Sequence, residues 1–151
     1  MFEFDWEPAG NNRLLLRGDV TEHAKLLEPI ANLSSGPVRF DLAGIRRINS
    51  LGARLWIQMM RTLKDREVIL ERCPPAVIDL LGCLQDFRGH ASIASVLLPY
   101  SCDACHHLTL HEESTENLRR NQKLAERSPC ETCGRPVPFD DLPERYLSLV
   151  R

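Results

Sequence analysis

The stretch VRFDLAGIRRINSLGARLWIQMMRTL, residues 38–63, decides the fold. Val38, Phe40 and Leu42 alternate with Arg39 and Asp41, the pattern of a strand with one buried face. Residues 43–49 carry Gly44, Ile45 and Ile48 and read as a loop. The period then changes. Leu51, Leu55, Trp56, Met59, Met60 and Leu63 recur at helical spacing, while Arg54, Gln58, Arg61 and Thr62 fall mostly on other faces. A serine just before such a run is a strong N-cap, because its hydroxyl accepts from a free N–H of the first turn. The pattern predicts a strand, a loop and a long amphipathic helix capped by Ser50.

Ser50 has a structural reading and a regulatory one. As a cap it only closes the helix start. As a modification site it would sit where phosphate is tolerated, because a helix N-terminus carries partial positive charge and unpaired N–H groups. Phosphorylation there would add about −1.5 to −2 charges. A partner surface fitted to the neutral hydroxyl would then meet a charge. One hydroxyl can serve both roles.

Working outward, Phe2, Phe4 and Trp6 alternate with acids and predict a strand. The turn PAGNN at 8–12 joins it to a second strand over 13–17, forming a hairpin. Ala24, Leu26, Leu27, Ile30, Ala31 and Leu33 suggest a helix over 21–33, kinked or broken at Pro29. After the central helix, EVILE at 67–71 is another strand. Pro75 opens a short helix to Leu84, residues 85–90 form a loop, and 91–98 form a last strand. Strands alternating with helices favour a mixed, mainly parallel sheet with right-handed crossovers.

DLAGIRRINSLGARLW, residues 41–56, resembles the signature of the STAS domain, the module of bacterial anti-sigma-factor antagonists. The resemblance covers roughly residues 1–99, opening hairpin included, and implies a STAS-like α/β fold. In that family the motif reads Asp-Ser-x-Gly. Ser50 matches the phosphorylated serine and Gly52 the glycine, whereas Asn49 stands where the family often has Asp. The resemblance implies a kinase-like anti-sigma factor or another regulatory protein as partner, docking at Asn49, Ser50, Leu51 and Gly52. Many members of the family act as binding modules without phosphorylation. The family's usual C-terminal helix is not evident; a cysteine-rich segment follows instead.

That segment holds Cys102-Asp103-Ala104-Cys105 and Cys130-Glu131-Thr132-Cys133, two CxxC pairs separated by 24 residues. Two residues between paired cysteines let both thiolates reach one tetrahedral ion. Four thiolates favour Zn2+ in a closed, structural site with no open position for substrate. Gly134 follows the second pair, where an unusual backbone conformation is easily met. Redox thiols, disulfides and an iron–sulfur cluster are the alternatives, each with a less fitting context or spacing. The pattern resembles a zinc ribbon over residues 100–151. His106, His107 and His111 lie near the first pair and are expected at the surface or behind the ligands. Residues 112–127 are strongly polar and read as an exposed helix or mobile loop. Near the end, Pro143 can open a short helix that packs Tyr146, Leu147 and Val150. Cys73 and Cys83 stand outside any pair and are expected to act as small apolar residues.

A formal charge of −2 gives no global drive toward nucleic acid or membrane. No apolar run approaches the roughly 18 residues of a membrane span. The acidic opening lacks a signal-peptide layout, which places the protein in the cytoplasm, where cysteines are metal ligands or thiols more often than disulfides. The sequence thus predicts a non-enzymatic interaction module. Its ribbon would be a second docking surface or would stabilise a homodimer. The rival classes are a transcription-associated, nucleic-acid-binding ribbon protein and an enzyme. The acidic balance argues against the first, and no nucleophile–base set supports the second.

Overall fold

A computed structural model describes residues 3–151. Phe2, which the alternation places on the first strand, lies outside them. The fold is mixed α/β, built on a mainly parallel five-stranded sheet. Its strands are β1 (Asp5–Pro8), β2 (Arg13–Val20), β3 (Val38–Ile48), β4 (Val68–Glu71) and β5 (Ser92–Ile93), in that spatial order. β1 runs antiparallel to β2, and the other neighbours are parallel. The hairpin between β1 and β2 turns through Gly10, Asn11 and Asn12, all at positive φ. Glycine and asparagine are the residues that accept that conformation at least cost.

Two elements differ from expectation for identifiable reasons. The expected helix over 21–33 is a single turn, α1 (Leu27–Ile30), with Pro29 buried inside it. Proline lacks the N–H and crowds the preceding turn. The chain before it instead forms a turn closed by Ala24 N–H donating to Thr21 O at 3.0 Å. The expected loop at 43–49 is strand as far as Ile48. Pairing of β2 with β3 shifts register between Leu15 and Arg17 and again between Gly18 and Asp19. These irregularities break the period-2 pattern that sequence alone can see. Gly44 is tight in the strand, since a Cβ there would lie 2.5 Å from Arg17 Cβ.

Helix α2 (Ser50–Thr62) buries Gly52, Ala53, Trp56, Met59 and Met60. Leu51, expected on that face, is exposed. Trp56 anchors the core: it lies 5.5 Å from the Phe40 ring and stacks on Phe87 at 5.3 Å. Its indole Nε1 donates to Phe87 O at 2.9 Å, so the buried N–H is satisfied. Helix α3 (Pro75–Cys83) begins at proline as expected. The expected loop at 85–90 contains a short helix, α4 (Gln85–Arg88), which carries Phe87 into the core.

The strand expected over 91–98 divides at Ala94. β5 stays in the first sheet, while β6 (Ser95–Ser101) pairs antiparallel with β7 (Leu108–Ser114) and keeps one parallel bridge, Val96 to Cys73, just beyond β4. Residue 99, the expected end of the first module, lies inside β6. The polar segment then forms α5 (Thr115–Asn121), capped by Ser114, whose hydroxyl accepts from Asn117 N–H at 3.1 Å. Its anchor is Leu118, which is buried. β8 (Arg127–Pro129) and β9 (Pro136–Pro138) form a second small hairpin. A bridge between Tyr100 and Phe139 joins the two hairpins. The chain closes with α6 (Pro143–Leu147) and a 3-10 turn, Ser148–Val150. Tyr146, Leu147 and Val150 are buried in the same apolar cluster as Val77 and Ile78 of α3. Arg145 pairs with Asp79 of α3 and with Asp141. Among the described residues, no helix is long and apolar enough to cross a membrane.

Candidate functional site

The four predicted ligands meet. Cys102 and Cys105 sit between β6 and β7, and Cys130 and Cys133 between β8 and β9. The two turns are built alike. In the first, His106 N–H donates to Cys102 O at 2.9 Å and Cys102 N–H to His107 O at 3.0 Å. In the second, Gly134 N–H donates to Cys130 O at 2.9 Å and Cys130 N–H to Arg135 O at 2.8 Å. The residue after each pair lies at positive φ, Gly134 at 76° and His106 at 60°. The glycine was legible from sequence; the histidine, a less tolerant residue there, was not.

All four sulfurs lie within 4.8 Å of one another. Cys102 Sγ is 3.6 Å from Cys133 Sγ, and Cys105 Sγ is 3.5 Å from Cys130 Sγ. All six cysteines are free thiols. A tetrahedral ion with metal–sulfur bonds of about 2.3 Å separates its sulfurs by about 3.8 Å. The two cross-turn distances lie close to that edge, so the donor set and its spacing fit a four-thiolate metal site. Backbone N–H groups favour the thiolate. The Cys133 and Thr132 amides help hold Cys130 down to about 6, and the Cys105 amide leads in lowering Cys102. Cys105 accepts from the His107 amide, yet burial and three neighbouring thiols push it up to about 12. Crowded thiols resist losing all their protons together, and a bound cation removes that resistance. His107 Nε2 lies 3.2 Å from Glu131 Oε2 and links the two turns at the surface. His106 and His111 are exposed.

The second candidate site surrounds Ser50. The cap differs from expectation. Asn49 is the N-cap, and its Oδ1 accepts from Gly52 N–H at 2.7 Å. Ser50 is the first helical residue and is exposed. Both asparagine and serine are strong caps; β3 running to Ile48 makes Asn49 the half-in residue. The Asn49 amide also donates through Nδ2 to Glu22 Oε2 at 2.9 Å, a bond that lowers the Glu22 pKa. Gly52 is pressed on β2: a Cβ there would lie 1.9 Å from Val20 O. Leu51 is 45% exposed beside Ser50. On one flank lies a cleft of about 350 Å³ between α2 and α3, lined by Ile48, Ala53, Ile57, Leu80 and Leu84. Ser50 and Arg54 also line it.

The structure also shows an ionic cluster around one buried carboxylate that the sequence does not reveal. Asp41, 2% exposed, pairs with Arg13 at 3.0 Å and Arg72 at 3.1 Å. Glu71 joins it through Arg13 and Arg39. These residues sit at matched register on β2, β3 and the end of β4, on the face opposite Phe40. Alternation placed Arg39 and Asp41 on a polar face, yet could not show that the carboxylate is enclosed.

Compared with models of known protein families, with curated proteins and with solved structures, the chain matches none.

Proposed function

We propose that this chain is a STAS-like regulatory docking module whose contact surface centres on Asn49, Ser50, Leu51 and Gly52. The observation that carries this reading is the placement of Ser50. It is exposed on the first turn of a 13-residue helix, next to a strand, and an apolar cleft opens beside it. Asn49 and Gly52 fix that turn from behind, so the hydroxyl is left to a partner. The order hairpin, α1, β3, α2, β4, α3, β5 supports the family resemblance. A phosphate on Ser50 would meet the free N–H groups of α2 while presenting charge to whatever covers the cleft. The partner would be a regulatory protein, such as a kinase-like anti-sigma factor, and the role is non-enzymatic.

The cysteine set is a structural Zn2+ site of zinc-ribbon type. It holds the ends of β6–β7 and β8–β9 together, and through them the tail that packs on α3. The docking role is tested by isolating the proteins that co-purify with the full chain, reacting the chain with a kinase found among them and mapping the phosphosite. Label on Ser50 supports the switch. An active kinase that leaves Ser50 unlabelled removes it. Elemental analysis of freshly isolated, reduced protein tests the metal, with one zinc per chain expected.

A further inference from the structure

Two helices wall the cleft beside Ser50. Ser50, Ala53, Arg54 and Ile57 recur at i, i+3, i+4 and i+7, so α2 turns one continuous stripe toward it. Leu80 and Leu84, four residues apart, line it from α3 and its C-terminal end, and Ile48 adds to it from the end of β3. Ile48, Ile57 and Leu80 are half-buried and Leu84 is 40% exposed, so the cleft offers apolar surface to solvent. A groove of this kind between two helices suits the apolar stripe of a third helix.

The charge of the cleft is one-sided. Arg54 is the only charged residue in its lining, and it is exposed. Among the described residues its guanidinium has no ion pair, whereas Arg61 on the same helix pairs with Asp86 at 3.9 Å. No carboxylate lines the cleft, and the N-terminus of α2 adds partial positive charge at Ser50. We infer that the cleft receives an amphipathic helix of a protein partner, which sets leucine-sized side chains between Ile57, Leu80 and Leu84 and an aspartate or glutamate against Arg54. The partner's carboxylate accepts from the guanidinium in a fork, the geometry in which such a pair is strongest. A basic helix is disfavoured, because its cations meet Arg54 and the positive end of α2. The inference rests on the reading of the first turn of α2 as a docking surface and adds the chemistry of the partner. A phosphate on Ser50 would pair with Arg54, four residues on along the same face, and take the guanidinium that the partner's carboxylate needs.

The test is an NMR titration of the full, metal-loaded chain, methyl-labelled at alanine, isoleucine and leucine, with two helical model peptides. Both carry leucines at i, i+4 and i+7, flanked by glutamates in one and by lysines in the other. The acidic peptide should give saturable shifts of the Ala53, Ile57, Leu80 and Leu84 methyls. It should bind at least about tenfold more tightly than the lysine peptide, the scale of one charged hydrogen bond. Arg54→Gln should remove most of that preference and Arg54→Glu should reverse it. Arg54 is exposed, so both variants keep the fold. No saturable shift at these methyls, equal binding of the two peptides, or an acidic preference that persists in Arg54→Glu overturns the inference. The docking reading fails separately. If a native partner binds Ser50→Asp as tightly as the parent while the peptides behave as expected, that reading falls and the cleft's preference stands. If Ser50→Asp weakens the partner while the peptides bind alike, the reading stands and this inference falls.

Discussion

The side chain of Asn49 bridges Gly52 and Glu22. Its Oδ1 accepts from Gly52 N–H at 2.7 Å and its Nδ2 donates to Glu22 Oε2 at 2.9 Å. An asparagine can do both, because one end of its amide accepts and the other donates. An aspartate would keep the cap but set two carboxylates against each other. The asparagine is thus matched to a glutamate 27 positions earlier.

Asn49→Ala should lower stability by about 0.5–2 kcal/mol, the usual cost of a lost cap. Ser50→Ala should stay within about 0.5 kcal/mol, as an exposed substitution away from the cap. Urea denaturation of the two variants checks the order. If Ser50→Ala costs more than Asn49→Ala, the cap is wrongly assigned.

Asn49→Asp should be destabilised at neutral pH and restored by adding Glu22→Gln. In the parent chain the Glu22 pKa is lowered by the Asn49 bond, so its contribution is present above the unfolded carboxylate pKa and fades as pH falls through the folded value. In Asn49→Asp the facing charges act the other way. Acidification protonates one carboxylate, and the stability gap to the parent should narrow. A gap that widens below neutral pH would contradict the bridge.

Gly52→Ala should cost about 1–3 kcal/mol, because the new methyl overlaps Val20 O and the first turn of α2 must move. The same substitution should disturb partner binding at Ser50. Amide shifts confined to residue 52, with unchanged melting, would show that the contact is slack.

Thiol chemistry should separate the six cysteines into three groups. In metal-loaded protein only the exposed Cys83 should react quickly with a thiol reagent. Cys73 is fully buried, and burial pushes its pKa up to about 12, so it should stay inert until the fold opens. Cys102, Cys105, Cys130 and Cys133 should react only after a chelator has removed the metal, at a pH where the freed thiols ionise. Fast labelling of Cys130 in metal-loaded protein would argue against a closed site. Cys130→Ser should lose the metal and raise hydrogen exchange first in residues 102–151, then in α3, where Tyr146 and Val150 pack.

What could be read without coordinates was local. The alternation at 38–42, the helical period at 51–63 and both CxxC pairs survive because neighbours in sequence carry the whole signal. Pro29 kept the residues before it out of the helix that the apolar pattern suggests. The register shifts opposite Gly44 hid the second half of β3. Ser50 directly precedes the helical pattern and serine ranks with asparagine as a cap, so the sequence alone favours it over Asn49. The second sheet is not legible, because β6 and β7 pair across the first cysteine turn and nothing in YSCDACHHL shows where the partner strand lies. The cleft beside Ser50 draws Ile48 from β3, Arg54 and Ile57 from α2 and Leu80 from α3. Only the folded chain brings them together.

The most direct measurement is the affinity of a protein partner, isolated by co-purification with the full chain, for that chain and for Ser50→Asp, with Ser50→Ala and Lys64→Gln, exposed just past the far end of α2, as controls. Ser50→Asp should bind at least about tenfold more weakly, since a charge enters a desolvated contact, while both controls bind like the parent. Equal binding by all four proteins would contradict it, and Ser50 would then lie outside the surface this chain uses.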